Sequence, residues 1–211
     1  MKRLTFIILL SITSFHLRAE DGYRLWLRYD KIDDSQLLKQ YRQQISALKF
    51  NTTNTTLSAA YKELKNGLSG LLDKKISSQN GIDNGSIIAG TQESDPEIKA
   101  TFSQEELNKL GDEGFIIQTT VINKKKVVLI GGKKDVGVLY GVFHFLRLLQ
   151  THQSIQTLSI ISVPKIKYRV LNHWDNLNRS VERGEAGGAM VDWHTLPCYV
   201  DKRYIDYARA K

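Results

Sequence analysis

Lys126-Val-Val-Leu-Ile-Gly-Gly-Lys-Lys-Asp-Val-Gly-Val-Leu-Tyr-Gly-Val-Phe-His-Phe-Leu146 carries an apolar block into a glycine turn and then into an apolar stripe at helical spacing. The block Lys126 to Ile130 has strand length. With Phe115 to Val121 it predicts a hairpin across Asn123-Lys-Lys. Asp135 offers an N-cap, and Val138, Leu139, Val142, Phe143, Leu146 and Leu149 fall on one helical face, the mark of a buried helix. Strands that give way to such a helix point to the α/β class. Gly132 and Gly137 have the interval of a phosphate loop, but Val138-Leu139 stands where that loop needs Lys and then Ser or Thr to hold phosphates and Mg²⁺. A nucleotide site is therefore excluded here.

Upstream, Tyr23 to Tyr29 alternates Tyr23, Leu25, Leu27 and Tyr29, the period of a half-buried strand. A helix is predicted from Asp34. A second runs from Thr56, with Leu57, Tyr61, Leu64, Leu68, Leu71 and Leu72 at helical spacing and with Gly67 and Gly70 weakening it. Ser86 to Gly90 reads as a short strand, and Ser103-Gln-Glu-Glu106 as a capping box. Asn51-Thr-Thr-Asn-Thr-Thr56 contains two Asn-x-Thr sequons and is read as a polar loop capping the next helix. The N-terminus carries Lys2 and Arg3, an apolar run from Leu4 to Phe15, and Leu17-Arg-Ala19 as a cleavage site, so residues 1–19 are predicted to be a signal peptide. That run is too short to span a bilayer, and the expected location is the periplasm or the exterior.

The formal charge is +8 over 211 residues; removing Lys2, Arg3 and Arg18 with the leader lowers it by three, to +5. Cations are interleaved with carboxylates instead of gathered on one face among aromatics, which argues against nucleic acid as a partner. Cys198 is alone and can form no intrachain disulfide; packing is its predicted role. His173 and His194 lack the short-spaced companions of a zinc site, so no metal is expected.

Downstream of Pro164 stands Arg169-Val-Leu-Asn-His-Trp-Asp-Asn-Leu-Asn-Arg-Ser-Val-Glu-Arg-Gly184. Arg169 to Asn172 is predicted to be a strand, with His173, Trp174, Asp175 and Asn176 at its C-terminal end. In parallel sheets and barrels that end faces the ligand. Lys165 to Lys211 holds one strand and one helix from Asp201, against the about 250 residues of a (β/α)8 barrel. The chain thus reads as the front of a longer enzyme.

Leu171-Asn-His-Trp-Asp-Asn-Leu, Ser180-Val-Glu-Arg-Gly184, Asp192-Trp-His194 and Tyr204-Ile-Asp-Tyr-Ala-Arg-Ala210 closely resemble the opening of the catalytic domain of glycoside hydrolase family 67, the xylan α-1,2-glucuronidases. Glu20-Asp-Gly-Tyr-Arg-Leu-Trp-Leu-Arg-Tyr29 is similar to the start of a mature member. The strand, glycine turn and Leu139-Tyr-Gly-Val-Phe-His-Phe-Leu helix resemble the non-catalytic domain that precedes the barrel. Glu185 departs from the pattern, where the family carries an aromatic, as does Ala186-Gly-Gly-Ala-Met190. The resemblance implies a mixed-sheet α/β domain over residues 20–163, followed over residues 164–211 by the start of a truncated (β/α)8 barrel. It also implies cofactor-free, inverting release of glucuronic or 4-O-methylglucuronic acid from substituted xylooligosaccharides, and a homodimer for the complete enzyme.

Glycoside hydrolysis needs two carboxyl groups roughly 5 to 9.5 Å apart. Asp175, Glu182, Glu185 and Asp192 are available, but spacing selects no pair, and the resemblance implies that acid and base come from later barrel strands, so no catalytic residue is assigned. Trp174 is read as a wall against the sugar's apolar face, with packing under the barrel rim as the alternative. His173, Asp175 and Asn176 are read as supports of that loop. Arg179 and Arg183 could meet the uronate or pair with Glu182 or Asp175. Trp193 is read as a packing residue. The competing functional class is a non-catalytic carbohydrate-associated or structural α/β domain.

Overall fold

The computed structural model describes residues 22–170, 176–178 and 191–210. Its centre is a six-stranded sheet of β1 (Ala47–Phe50), β2 (Ser77–Ser78), β3 (Ser86–Gly90), β4 (Phe115–Ile122), β5 (Lys125–Gly132) and β6 (Ser159–Ser162), in the order β2-β1-β3-β5-β4-β6. Strands β2, β1, β3 and β5 are mutually parallel, while β4 is antiparallel to both β5 and β6. The fold is thus α/β with a mixed sheet. The predicted hairpin is present, and Asn123 and Lys124 turn it with positive φ values of 50° and 64°. Strands β1, β2 and β6 have no counterpart in the sequence reading.

Helices cover both faces. On one, α1 (Ser35–Gln44), α2 (Thr55–Leu71) and α5 (Asp135–Gln150) enclose the larger core around Leu64, Leu68, Val142 and Leu146. On the other, α3 (Pro96–Thr101) and α4 (Gln104–Leu110) pack Ile98, Phe102 and Leu107 against Ile88 and Leu129. Every N-terminus of the first four helices is closed by a short polar side chain. Asp34, Asn54 and Asp95 each accept backbone N–H groups, and Ser103 and Glu106 form the predicted capping box. The fifth helix differs: its cap is Lys134 without a side-chain bond, and Asp135 is already helical. The Asp135 carboxylate instead accepts the Asn54 amide at 2.8 Å, joining the starts of α2 and α5.

The glycines that weaken α2 as a helix are needed by its neighbours. A Cβ on Gly67 would lie 2.6 Å from the Leu146 side chain, and one on Gly70 2.3 Å from the carbonyl oxygen of Tyr29. Gly137 serves the same end, since its Cβ would meet the Gly114 carbonyl oxygen at 2.3 Å. The loop that imitates a phosphate cradle is a point of close packing. Gly70→Ala gains about 1 kcal/mol in helix propensity, yet it must displace backbone. A net loss of about 1–3 kcal/mol is expected, read as a lowered Tm; Gly81→Ala, with open space around it, is the control. An unchanged Tm in Gly70→Ala would show that the Tyr29 backbone yields freely.

One predicted strand is not a strand. Tyr23 to Tyr29 forms a turn and then a 3-10 helix over Leu25–Arg28. Positive φ at Leu25 (48°) and Tyr29 (51°) breaks the extended chain, and only Leu27 and Tyr29 of the alternating set are buried. Sheet neighbours are lacking at that place, so alternation alone has no ladder to join. Arg169 and Val170 likewise pair with no strand, and Val170 is 86% exposed; Leu171 and Asn172 lie outside the described residues. The last helix, α6 (Lys202–Ala210), begins where the sequence places it.

Candidate functional site

Trp174, His173 and Asp175 lie outside the described residues, as do Arg179, Glu182, Arg183, Glu185 and the leader. Asn176 is described and exposed. Asp192 sits in a turn. Its backbone N–H donates to the Tyr204 hydroxyl at 2.7 Å, and its carboxylate accepts the His194 N–H at 3.3 Å. Trp193 is 39% exposed and Cys198 is exposed.

The chain leaves β1 into α2 on one face of the sheet and leaves β3 into α3 and α4 on the other. The crevice between the C-terminal ends of β1 and β3 is thus the topological switch point, the usual ligand position in an open α/β sheet. Here it is filled from within. Lys49, near the end of β1, donates to Asp95 at 2.6 Å and also to Glu97, with only 9% of its side chain exposed and none of Asp95's. Burial pushes the Asp95 carboxyl above the ordinary range despite the pull of Lys49. Burial acts the same way on Glu97, but its bonds from Lys49 and Asp95 win and hold it low. Opposed shifts of this kind can mark an acid and base. In this triad, however, Asp95 also caps α3 through the N–H groups of Glu97 and Ile98. Its oxygens are committed to structure.

A cleft of about 380 Å³ lies between the 3-10 turn and α6, with Tyr23, Arg24, Leu27, Arg203, Asp206 and Arg209 in its wall. Its cations would suit an acidic sugar if they were unpaired. They are paired: Arg24 with Asp30, Lys202 with Asp206, Arg203 with Asp201 and Arg209 with Glu63. Asp206, bonded by Lys202, is held below the carboxylate range and cannot serve as a proton donor at neutral pH. What this cleft does contain is a join between distant parts of the chain. Arg209 grips Glu63 with two bonds of 2.8 Å, Tyr23 donates to Asp206 at 3.0 Å, and the Trp26 indole donates to the Ala210 carbonyl at 3.0 Å.

Sequence reading missed Lys49, Glu63, Asp95 and Arg209. Only Asp95-Pro96 carried a local signal, that of a cap followed by proline in the first helical turn. The described residues hold no group of three or more His, Cys, Asp or Glu able to bind a metal ion, and no helix long and apolar enough to cross a membrane.

Residues 25–145 match the model described as the glycosyl hydrolase family 67 N-terminus, and residues 148–211 match that family's middle domain. Alpha-glucuronidase A of Emericella nidulans is 27% identical over 198 residues, covering 90% of this chain and 23% of the relative. A probable alpha-glucuronidase A of Aspergillus terreus is 30% identical over 192 residues, covering 89% and 22%. The chain spans less than a quarter of the length of these curated relatives. Among solved structures, a family GH115 4-O-methyl-alpha-glucuronidase is similar at 17% identity with a TM-score of 0.46, over 59% of this chain and 18% of that one.

Proposed function

We propose that this chain, which belongs to glycosyl hydrolase family 67, is the N-terminal part of an exported α-glucuronidase that removes α-1,2-linked glucuronic or 4-O-methylglucuronic acid from xylooligosaccharides. The observation that carries this reading is the succession of the two family regions along one chain, beside relatives named alpha-glucuronidase. Residues 20–163 form a non-catalytic domain in which the sheet's ligand crevice is plugged by the Lys49 triad. The proposed division at 163/164 keeps β6, which pairs with β4, in the first domain, whereas the two family regions meet between residues 145 and 148. Residues 164–211 open the catalytic domain, where Trp174 walls the uronic-acid pocket and His173, Asp175 and Asn176 support its loop. Acid and base, which must protonate the leaving oxygen and activate water, come from strands of the larger enzyme.

The 211-residue chain by itself is expected to release no glucuronic acid from aldouronic oligosaccharides, whereas a complete enzyme carrying this sequence does so with inversion. Chromatography of the products, with NMR of the first-formed anomer, checks both. Turnover by the short chain would turn attention to Asp175 and Glu182; a complete protein without turnover would favour a structural domain.

Export is tested separately. The mature N-terminus is expected near Glu20, following the apolar run and Ala19. Edman or mass-spectrometric sequencing of periplasmic or secreted material reads it, and an intact Met1 confined to the cytoplasm would remove the claim.

A further inference from the structure

The helix α6 belongs to the second family region, yet nothing in its nine residues is buried in the sense that the sheet's core is. Its apolar contact with the larger core is confined to Ala210 at its end, and Ile205 is 55% exposed. Polar bonds to the first region do the holding.

Glu63 is the centre of them. It projects from α2 with 8% of its side chain exposed, and both oxygens are met by Arg209. The Tyr29 hydroxyl donates to one of the same oxygens at 2.7 Å. Burial and the neighbouring carboxylate raise the Tyr29 hydroxyl far above its ordinary value, so it stays a donor at every working pH. Arg209 turns its third nitrogen to Asp206 at 2.9 Å, so its planar fork is used on both sides. A lysine, with one nitrogen, could not repeat that geometry. The Tyr204 hydroxyl on the same helix receives the Asp192 N–H, so the Asp192-Trp-His194 turn travels with α6.

We propose that Glu63, set by Tyr29, is the receptor on the first domain for Arg209, and that this ion pair, the most buried of the polar contacts between α6 and the first domain, fixes where α6 and the Asp192–Thr195 turn sit. The inference does not depend on the activity of the complete enzyme. It makes the first domain an orienting platform for the second, acting through a directed carboxylate–guanidinium contact.

Hydrogen exchange followed by mass spectrometry on the 211-residue chain tests it. In the wild type, amides of 202–210 are protected. Glu63→Gln keeps the shape but loses the charge, and it should speed exchange there by roughly tenfold or more while residues 127–149 stay within about twofold. Arg209→Lys, a change remote from the sheet, should have the same effect even if Glu63→Gln folds poorly. The double variant should match the worse single variant, because the two side chains act as one unit. Unprotected 202–210 in the wild type overturns the proposal. So does unchanged exchange in Arg209→Lys, or a double variant whose effects multiply.

Discussion

Lys49→Ala is expected to lower the unfolding free energy by about 3–5 kcal/mol near neutral pH, the scale set by removing one partner from a buried ionic group. The magnitude follows from burial: the Asp95 side chain is fully enclosed and that of Lys49 is 9% exposed, so bulk water cannot take over the lost contact. A solvated pair would cost about 1 kcal/mol at most. The penalty should shrink as pH falls, for two reasons of the same sign. Asp95 already has a raised pKa from burial. Without Lys49 it rises further, so the folded variant binds a proton that the unfolded chain releases above about pH 4, and the variant regains stability below its folded pKa. Glu97, whose pKa is lowered in the native protein, contributes stability above its unfolded value and loses it as pH falls through the folded one; the variant lacks the share of that contribution owed to Lys49 and so has less to lose. Urea unfolding at about pH 7 and about pH 5 should show the gap narrowing. Lys49→Ala combined with Asp95→Asn, which keeps a cap for α3, should recover part of the loss. A single-variant cost under about 1 kcal/mol at neutral pH would mean that the triad is hydrated.

Trp174→Ala in the complete enzyme should lower kcat/KM by roughly 30- to 900-fold, the equivalent of about 2–4 kcal/mol of transition-state binding for a lost aromatic wall. Its Tm should hold. Trp193→Ala provides the comparison: at a position read as packing, its removal should lower Tm with little effect on kcat/KM. The ratio of the two kinetic effects separates a sugar-contacting ring from general disturbance of the segment. A Trp174 variant with native kinetics and a sharply lowered Tm would make that residue part of the core under the barrel rim, and the assignment would fall.

Where the chain's local chemistry is self-sufficient, the fold can be read from it. Asp34, Asn51 to Thr56 and Ser103 to Glu106 announce helix starts because a cap is made within a few residues, and Asn123-Lys124 announces the hairpin because the turn needs no distant partner. β1 escapes for the opposite reason. Lys49 interrupts its short apolar run, and the carboxylates that justify a buried lysine come 46 and 48 positions later. Tyr23 to Tyr29 misleads because alternation over so few residues also fits a tight turn, and only the sheet decides which form has a neighbour. The candidate sugar segment is recognised by likeness of motif, which identifies Trp174 without revealing its surroundings. Glu63 and Arg209 are 146 positions apart, beyond any periodicity.

That separation has a meaning in time. Chains grow at about 5–20 residues per second and fold domain by domain from the N-terminus, so roughly 7 to 30 seconds pass between the synthesis of Glu63 and that of Arg209. During this interval the Glu63 carboxylate exists without its cation, with Tyr29 as its early companion. The order of manufacture thus leaves one socket waiting, and the arrival of Arg209 is the event that completes it.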